Sequence, residues 1–151
     1  MNRLYGLIGF PLGHSFSARY FTEKFQRENL SGYEYRNFPL ESIRELPAML
    51  ENHPGLLGFN VTIPYKQEVI PFLTALSAEA REIGAVNCVK ITPQGLYGHN
   101  TDAYGFRKSL LGLIGPMRPD ALILGTGGAS KAVGYVLRAR DISEGATIGA
   151  V

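Results

Sequence analysis

The chain has no tryptophan and a single cysteine, Cys88. One thiol cannot close an intrachain disulfide, and no metal centre can be assembled from cysteines. A reducing, cytoplasmic setting is therefore expected. No apolar run approaches the ~20 residues a helical membrane span needs. The N-terminal stretch Leu4-Tyr5-Gly6-Leu7-Ile8-Gly9 is also too short for a secretory signal and leads directly into patterned sequence. An excess of one charge is missing too. Lys and Arg number 15 against 13 Asp and Glu, and the basic residues Arg3, Arg19, Lys24 and Arg27 are scattered, so no nucleic-acid surface is expected. Histidines are scarce. His14, His53 and His99 have no partner at ligand or triad spacing, so they are read as structural, and neither a metal site nor a Ser-His-Asp triad is expected.

What remains is ordinary globular material. Of 151 residues, 45% are hydrophobic and 19% charged, enough for a real core in one domain, or one domain and part of another. Many of the 18 glycines end apolar runs, the punctuation of an α/β protein. Strands are expected at Leu4–Phe10, Tyr33–Phe38, Leu56–Val61, Ala85–Ile91 and Ala121–Leu124, with Leu96–Asn100 folding back across Pro93-Gln94-Gly95 as a hairpin. Helices are expected after Ser15 or Ser17, with Phe16, Tyr20, Phe21 and Phe25 on one face, and over Glu41–Leu50, Lys66–Leu73 and Ala75–Ile83. Two more are expected over Asp102–Leu113, with Phe106, Leu110, Leu113 and Ile114 on one side, and over Ala132–Ala139. Ala146–Val151 reads as a last strand. The alternation predicts a mostly parallel sheet flanked by helices. The breaker cluster Gly115-Pro116-Met117-Arg118-Pro119 separates residues 1–114 from a unit over 119–151 that begins like an incomplete Rossmann-type βα unit.

Four segments carry polar or glycine residues at strand ends. In Gly9-Phe10-Pro11-Leu12-Gly13-His14-Ser15-Phe16-Ser17, two hydroxyls stand where a strand gives way to a helix. They suit a carboxylate, or they cap the helix and face water. In Asn60-Val61-Thr62-Ile63-Pro64-Tyr65-Lys66, Asn60 and Thr62 share a face. Lys66 at a helix start would oppose the helix dipole. It is either a solvated surface lysine or a proton donor in a partly dry pocket. In Gly98-His99-Asn100-Thr101-Asp102, Asp102 either caps the next helix or pairs with Lys66 and a ligand hydroxyl. Asn87 joins the same rim, or is a buried amide satisfied by backbone. Gly125-Thr126-Gly127-Gly128-Ala129 follows a strand and precedes a helix, the context of a dinucleotide loop, although the strict Gly-x-Gly-x-x-Gly spacing is not kept.

Taken together, these segments resemble the shikimate dehydrogenase family from about Leu4 to Ala139. The resemblance implies NADPH-dependent reduction of 3-dehydroshikimate to shikimate, in aromatic amino-acid and chorismate biosynthesis. It implies Lys66 and Asp102 as the catalytic pair. Ser15 and Ser17 would hold the substrate carboxylate, and Lys66, Asn87 and Asp102 would contact the ring hydroxyls, with Asn60, Thr62 and Thr101 lining the pocket. Gly125, Gly127, Gly128 and Ala129 would meet NADP; no metal is implied. The expected partner is this small-molecule substrate, with no nucleic acid or membrane. Ala18 stands where many relatives have proline, and Cys88 where threonine is usual. The resemblance also implies a longer Rossmann-type domain, with a basic clamp for the adenosine phosphate, than this chain spans. Two alternatives stay open: an inactive substrate-binding fragment, and a quinate/shikimate dehydrogenase that uses NAD.

Overall fold

The computed structural model describes residues 3–140 and the backbone of Glu144–Gly145. Six strands form one sheet in the order β2-β1-β3-β5-β6-β4. They are β1 (Arg3–Gly9), β2 (Tyr33–Pro39), β3 (Leu56–Val61), β4 (Ala75–Leu76), β5 (Cys88–Thr92) and β6 (Gly95–His99). β1 is parallel to β2 and β3, β5 is antiparallel to β3 and β6, and β4 is parallel to β6. Five strands thus share one direction and only β5 is reversed, through the expected hairpin. The sheet is mixed and mostly parallel, and the fold is α/β.

Alternation along β1 builds the core on both faces of the sheet. Leu7 packs with Leu12 and Tyr35 under Phe21 and Phe25 of α1 (Ser17–Arg27). Ile8, fully buried, packs on the other face with Phe38, Val61 and Val69, and with Leu46 and Met49 of α2 (Leu46–Glu51). Burying each such side chain stabilises the fold by about 1.5–3 kcal/mol. Phe16 and Tyr20 do not join that face. They are exposed, because Phe16 precedes the helix and Tyr20 lies round it from Phe21 and Phe25.

Local chemistry accounts for other departures from the sequence reading. The 41–50 segment begins as a 3-10 turn, Ile43–Glu45, closed by a capping box between Ser42 and Glu45. Pro47 falls in the first turn of α2, where its missing N–H is harmless. Lys66–Leu73 is not an α-helix but a run of turns ending in a 3-10 turn, Ile70–Phe72. In the next segment, Ala75–Leu76 adds to the sheet edge as β4. Ser77 then caps α3 (Ala78–Ile83) by accepting from the Ala80 amide, and Gly84 ends it at φ +70°.

α4 (Asp102–Ile114) buries Ala103 and packs Phe106 and Leu110 inward, but Leu113 is 80% exposed. Gly115, at φ +53°, ends α4 at the breaker cluster. β7 (Ala121–Leu122) is shorter than expected and pairs in parallel with β8 (Glu144–Gly145). α5 (Gly128–Arg138) starts inside the glycine loop, earlier than Ala132. Its Ala132 and Val136 share one buried cluster with Ile83, Ala85 and Ala103. The strand expected over 146–151 lies outside the described residues. Among the described residues, no helix is long and apolar enough to cross a membrane.

Candidate functional site

The site is built at the rim where β1, β3 and β6 end. Asn100, 4% exposed, turns the chain from β6 into α4. Its Nδ2 donates to the Ala85 carbonyl at 3.0 Å, and its Oδ1 accepts from the Ala103 amide at 3.1 Å. Asn100 therefore does the capping that one sequence reading gave to Asp102, and the Asp102 carboxylate is free for the rim. Its Oδ2 accepts from Lys66 Nζ at 2.7 Å and its Oδ1 from Asn87 Nδ2 at 2.8 Å. Replacing Asn100 by Ala leaves a buried carbonyl and a buried amide unpaired. Each is expected to cost about 1–3 kcal/mol, read as a fall in the urea midpoint at unchanged m-value.

Asn87, 9% exposed, locks this corner. Its Nδ2 also reaches Thr101 Oγ1 at 2.8 Å, and its Oδ1 accepts from the Thr101 amide at 2.8 Å. Asn87 precedes β5 rather than lying inside it. Because β5 is reversed, its amino end meets the rim that the other strands reach with their carboxyl ends. Lys66 is held by its own carbonyl, which accepts from the Val86 amide at 2.7 Å. Its side chain is 16% exposed and that of Asp102 is 35% exposed. No helix begins at Lys66, so the dipole argument does not apply; the partnership with Asp102 sets it apart from a surface lysine.

The polar chain continues across the rim. Asn60 Nδ2 donates to the Asn87 carbonyl at 3.3 Å, and Asn60 Oδ1 accepts from the Tyr35 hydroxyl at 2.8 Å. Burial pushes the Tyr35 phenol up from its ordinary pKa. Ser15 Oγ accepts from the Ser17 amide at 3.3 Å, although Phe16 occupies the N-cap position and Ser17 is the first residue of α1. Lys66, Asp102, Asn87, Thr101 and Asn60 are thus drawn into one network, joined from β2 by Tyr35, which sequence reasoning missed, while Ser15 and Ser17 are bonded to each other. The signal for Tyr35 was a tyrosine rather than a phenylalanine at an inward strand position, since a buried phenol needs a partner. Thr62 is placed at the same end of β3 by its amide, which donates to the Ile8 carbonyl at 3.0 Å. Its methyl lies close to Gly9, where an added Cβ would stand 2.5 Å away.

The glycine loop lies beside Lys66. A Cβ on Gly128 would stand 2.7 Å from Lys66 Cβ and 3.2 Å from Ala85 Cβ. Gly125 sits at φ +131°, and a Cβ on Gly125 or Gly127 would meet nothing within 4 Å. Gly127 caps α5, Ser130 Oγ donates to its carbonyl at 2.7 Å, and the Lys131 amide makes the first helical bond to it at 3.2 Å. The amides of Gly128, Ala129 and Ser130 precede that bond and have no carbonyl one helical turn back, so this end of α5 suits an anion. Ala129 is exposed there.

The remaining polar candidates lie elsewhere. His14 and His99 are exposed, while His53 Nδ1 donates to the Met49 carbonyl at 2.7 Å beside Phe38. Among the described residues, no three His, Cys, Asp or Glu side chains converge as a metal site would require. Burial pushes the Cys88 thiol up, which disfavours the reactive thiolate.

A mostly parallel sheet with a polar rim at its strand ends and a glycine turn beside it is an α/β arrangement of the kind in which ligands gather beyond the strand ends. Residues 7–89 match the family model described as the shikimate dehydrogenase substrate binding domain. The chain belongs to the shikimate dehydrogenase family. It is 42% identical over 149 residues to the NADP(+) shikimate dehydrogenase of Aquifex aeolicus, covering 97% of this chain and 53% of that protein. It is 41% identical over 139 residues to the enzyme of the same name from Carboxydothermus hydrogenoformans, covering 89% and 49%. Among solved structures, shikimate 5-dehydrogenase from Thermus thermophilus in complex with NADP(H) and shikimate superposes with a TM-score of 0.82 at 34% identity. That match covers 95% of this chain and 54% of that one. The chain thus spans about half the length of the relatives it matches.

Proposed function

We propose that this chain carries the substrate site and the opening nucleotide loop of an NADP-dependent shikimate dehydrogenase, a cytoplasmic oxidoreductase that reduces 3-dehydroshikimate to shikimate for aromatic amino-acid biosynthesis. Residues 1–114 are the substrate-binding unit, and residues 119–151 open the dinucleotide-binding unit. One observation carries the reading. The Lys66–Asp102 pair, 2.7 Å apart and braced by Asn87, stands at the sheet rim with the glycine loop packed on its lysine.

The residues divide the work as follows. Ser15 and Ser17 donate hydroxyls to the substrate carboxylate. Asn60, Thr62, Asn87 and Thr101 line the pocket and bond ring hydroxyls. Gly125, Gly127, Gly128 and Ala129 would hold NADPH, which would supply the hydride for the ketone carbon. The Lys66 ammonium gives a proton to the ketone oxygen as its double bond opens, and solvent returns one to the lysine. Asp102 aims the ammonium and balances its charge.

Calorimetric titration of this chain with shikimate and, separately, with NADP⁺ tests the reading, with absorbance reporting NADPH formation in the mixture. Binding of both with turnover is the expected result. A second reading has its own support, since the chain spans about half of its relatives' length. In it the chain binds shikimate but needs further structure to hold NADP⁺, and shikimate binding alone is what it predicts. Failure to bind shikimate rejects both.

A further inference from the structure

We propose that Tyr35 is a positioning residue of the substrate site: its phenol fixes the orientation in which the Asn60 amide is offered to the ligand. The inference rests on the proposed function for its ligand, but its geometry stands independently.

Tyr35 reaches the rim from the edge strand β2, with only 7% of its surface exposed. Its ring is stacked on Phe21 at a centroid distance of 4.4 Å and an interplanar angle of 15°. A phenylalanine would fill that slot equally well. The hydroxyl is therefore surplus to packing, and a buried hydroxyl is tolerated only with a partner. It donates to Asn60 Oδ1 at 2.8 Å, across the intervening strand β1.

The Asn60 amide is thereby held at both ends, because its Nδ2 donates to the Asn87 carbonyl at 3.3 Å. One Nδ2 hydrogen and one Oδ1 lone pair remain for a ligand. Without the phenol, Oδ1 loses its anchoring donor and the amide is held at one end only.

A double-mutant cycle with Tyr35→Phe and Asn60→Ala, read by calorimetric shikimate affinity, tests the coupling. Tyr35→Phe is expected to weaken binding about tenfold, the worth of one hydrogen bond. In the Asn60→Ala background the same change is expected to matter less than about twofold. Equal losses in both backgrounds would mean that Tyr35 acts by packing, and would overturn the inference. A second readout needs no ligand. The side-chain NH₂ resonances of Asn60 in the free chain are expected to move in Tyr35→Phe while those of Asn100 stay in place. An unmoved Asn60 pair overturns the inference. Should the parent chain fail to bind shikimate, the functional proposal falls, and the NH₂ resonances alone decide the role of Tyr35.

Discussion

Lys66→Ala is expected to lower NADPH formation by about a hundred- to ten-thousand-fold, the range that a positioned proton donor contributes. Shikimate binding should fall far less, because the bonds among Asn87, Thr101 and Asn60, and the bond between the two serines, do not depend on the ammonium. Asp102 keeps its bond from Asn87 in the variant, so the rim does not collapse. Lys66→Arg makes the distinction sharper. Arginine keeps the positive charge opposite Asp102, but a guanidinium does not give up its proton in a protein. Turnover is therefore expected to stay low in Lys66→Arg with binding retained. Recovery of turnover by arginine would show that polarisation by charge suffices. Steady-state absorbance assays beside calorimetry on the same preparations separate the two.

Gly128→Ala is expected to produce the next largest change, in two properties at once. Its new Cβ would stand 2.7 Å from Lys66 Cβ and 3.2 Å from Ala85 Cβ, a distance at which something must shift. Either α5 lifts away from Ala85 and Ala103, or Lys66 is pushed off Asp102. Overpacking of this kind costs about 1–3 kcal/mol, so the thermal midpoint should fall. Turnover should fall with it, since both ways out disturb the lysine or the loop beside it. Gly127→Ala is the matching control. Its Cβ would meet nothing within 4 Å, and Gly127 is at φ −77°. Its folded stability should stay close to that of the parent, with any effect confined to NADP⁺ binding. Equal midpoints for the two variants would mean that the contact with Lys66 has no weight.

The sequence was legible where a pattern had one solution. The apolar run at β1, the hairpin through Pro93-Gln94-Gly95 and the polar strand ends are such cases, and the sheet and its rim follow from them. Lys66, Asn87, Thr101 and Asp102 were each ambiguous alone, since capping and solvation explain single polar residues as well as chemistry does. The structure resolves Asp102 by giving the cap to Asn100, which no spacing rule separates from its neighbours. Tyr35 was hidden because its partner on β3 is two strands away, a pairing that topology creates and local sequence does not encode. The helix read at Lys66–Leu73 failed because Pro71 and the sharp exit from Pro64 leave room only for turns. Leu113 fitted the apolar period of α4, yet that helix buries a narrower face, centred on Ala103, Phe106 and Leu110.

The reversed strand β5 has an organisational result. Asn87 and Asp102 are fifteen positions apart and still share a hydrogen bond, because β5 carries the chain away from the rim and β6 brings it back. Half of the polar rim is thus delivered by a single out-and-back excursion whose far tip, at Thr92–Gly95, is remote from the network. Changes of length at that tip leave both ends where they are, whereas a slip of one residue between β5 and β6 would carry Asn87 out of reach of Asp102. The fold therefore separates a region where the chain can vary in length from a region where it must keep count, and both lie on the same hairpin.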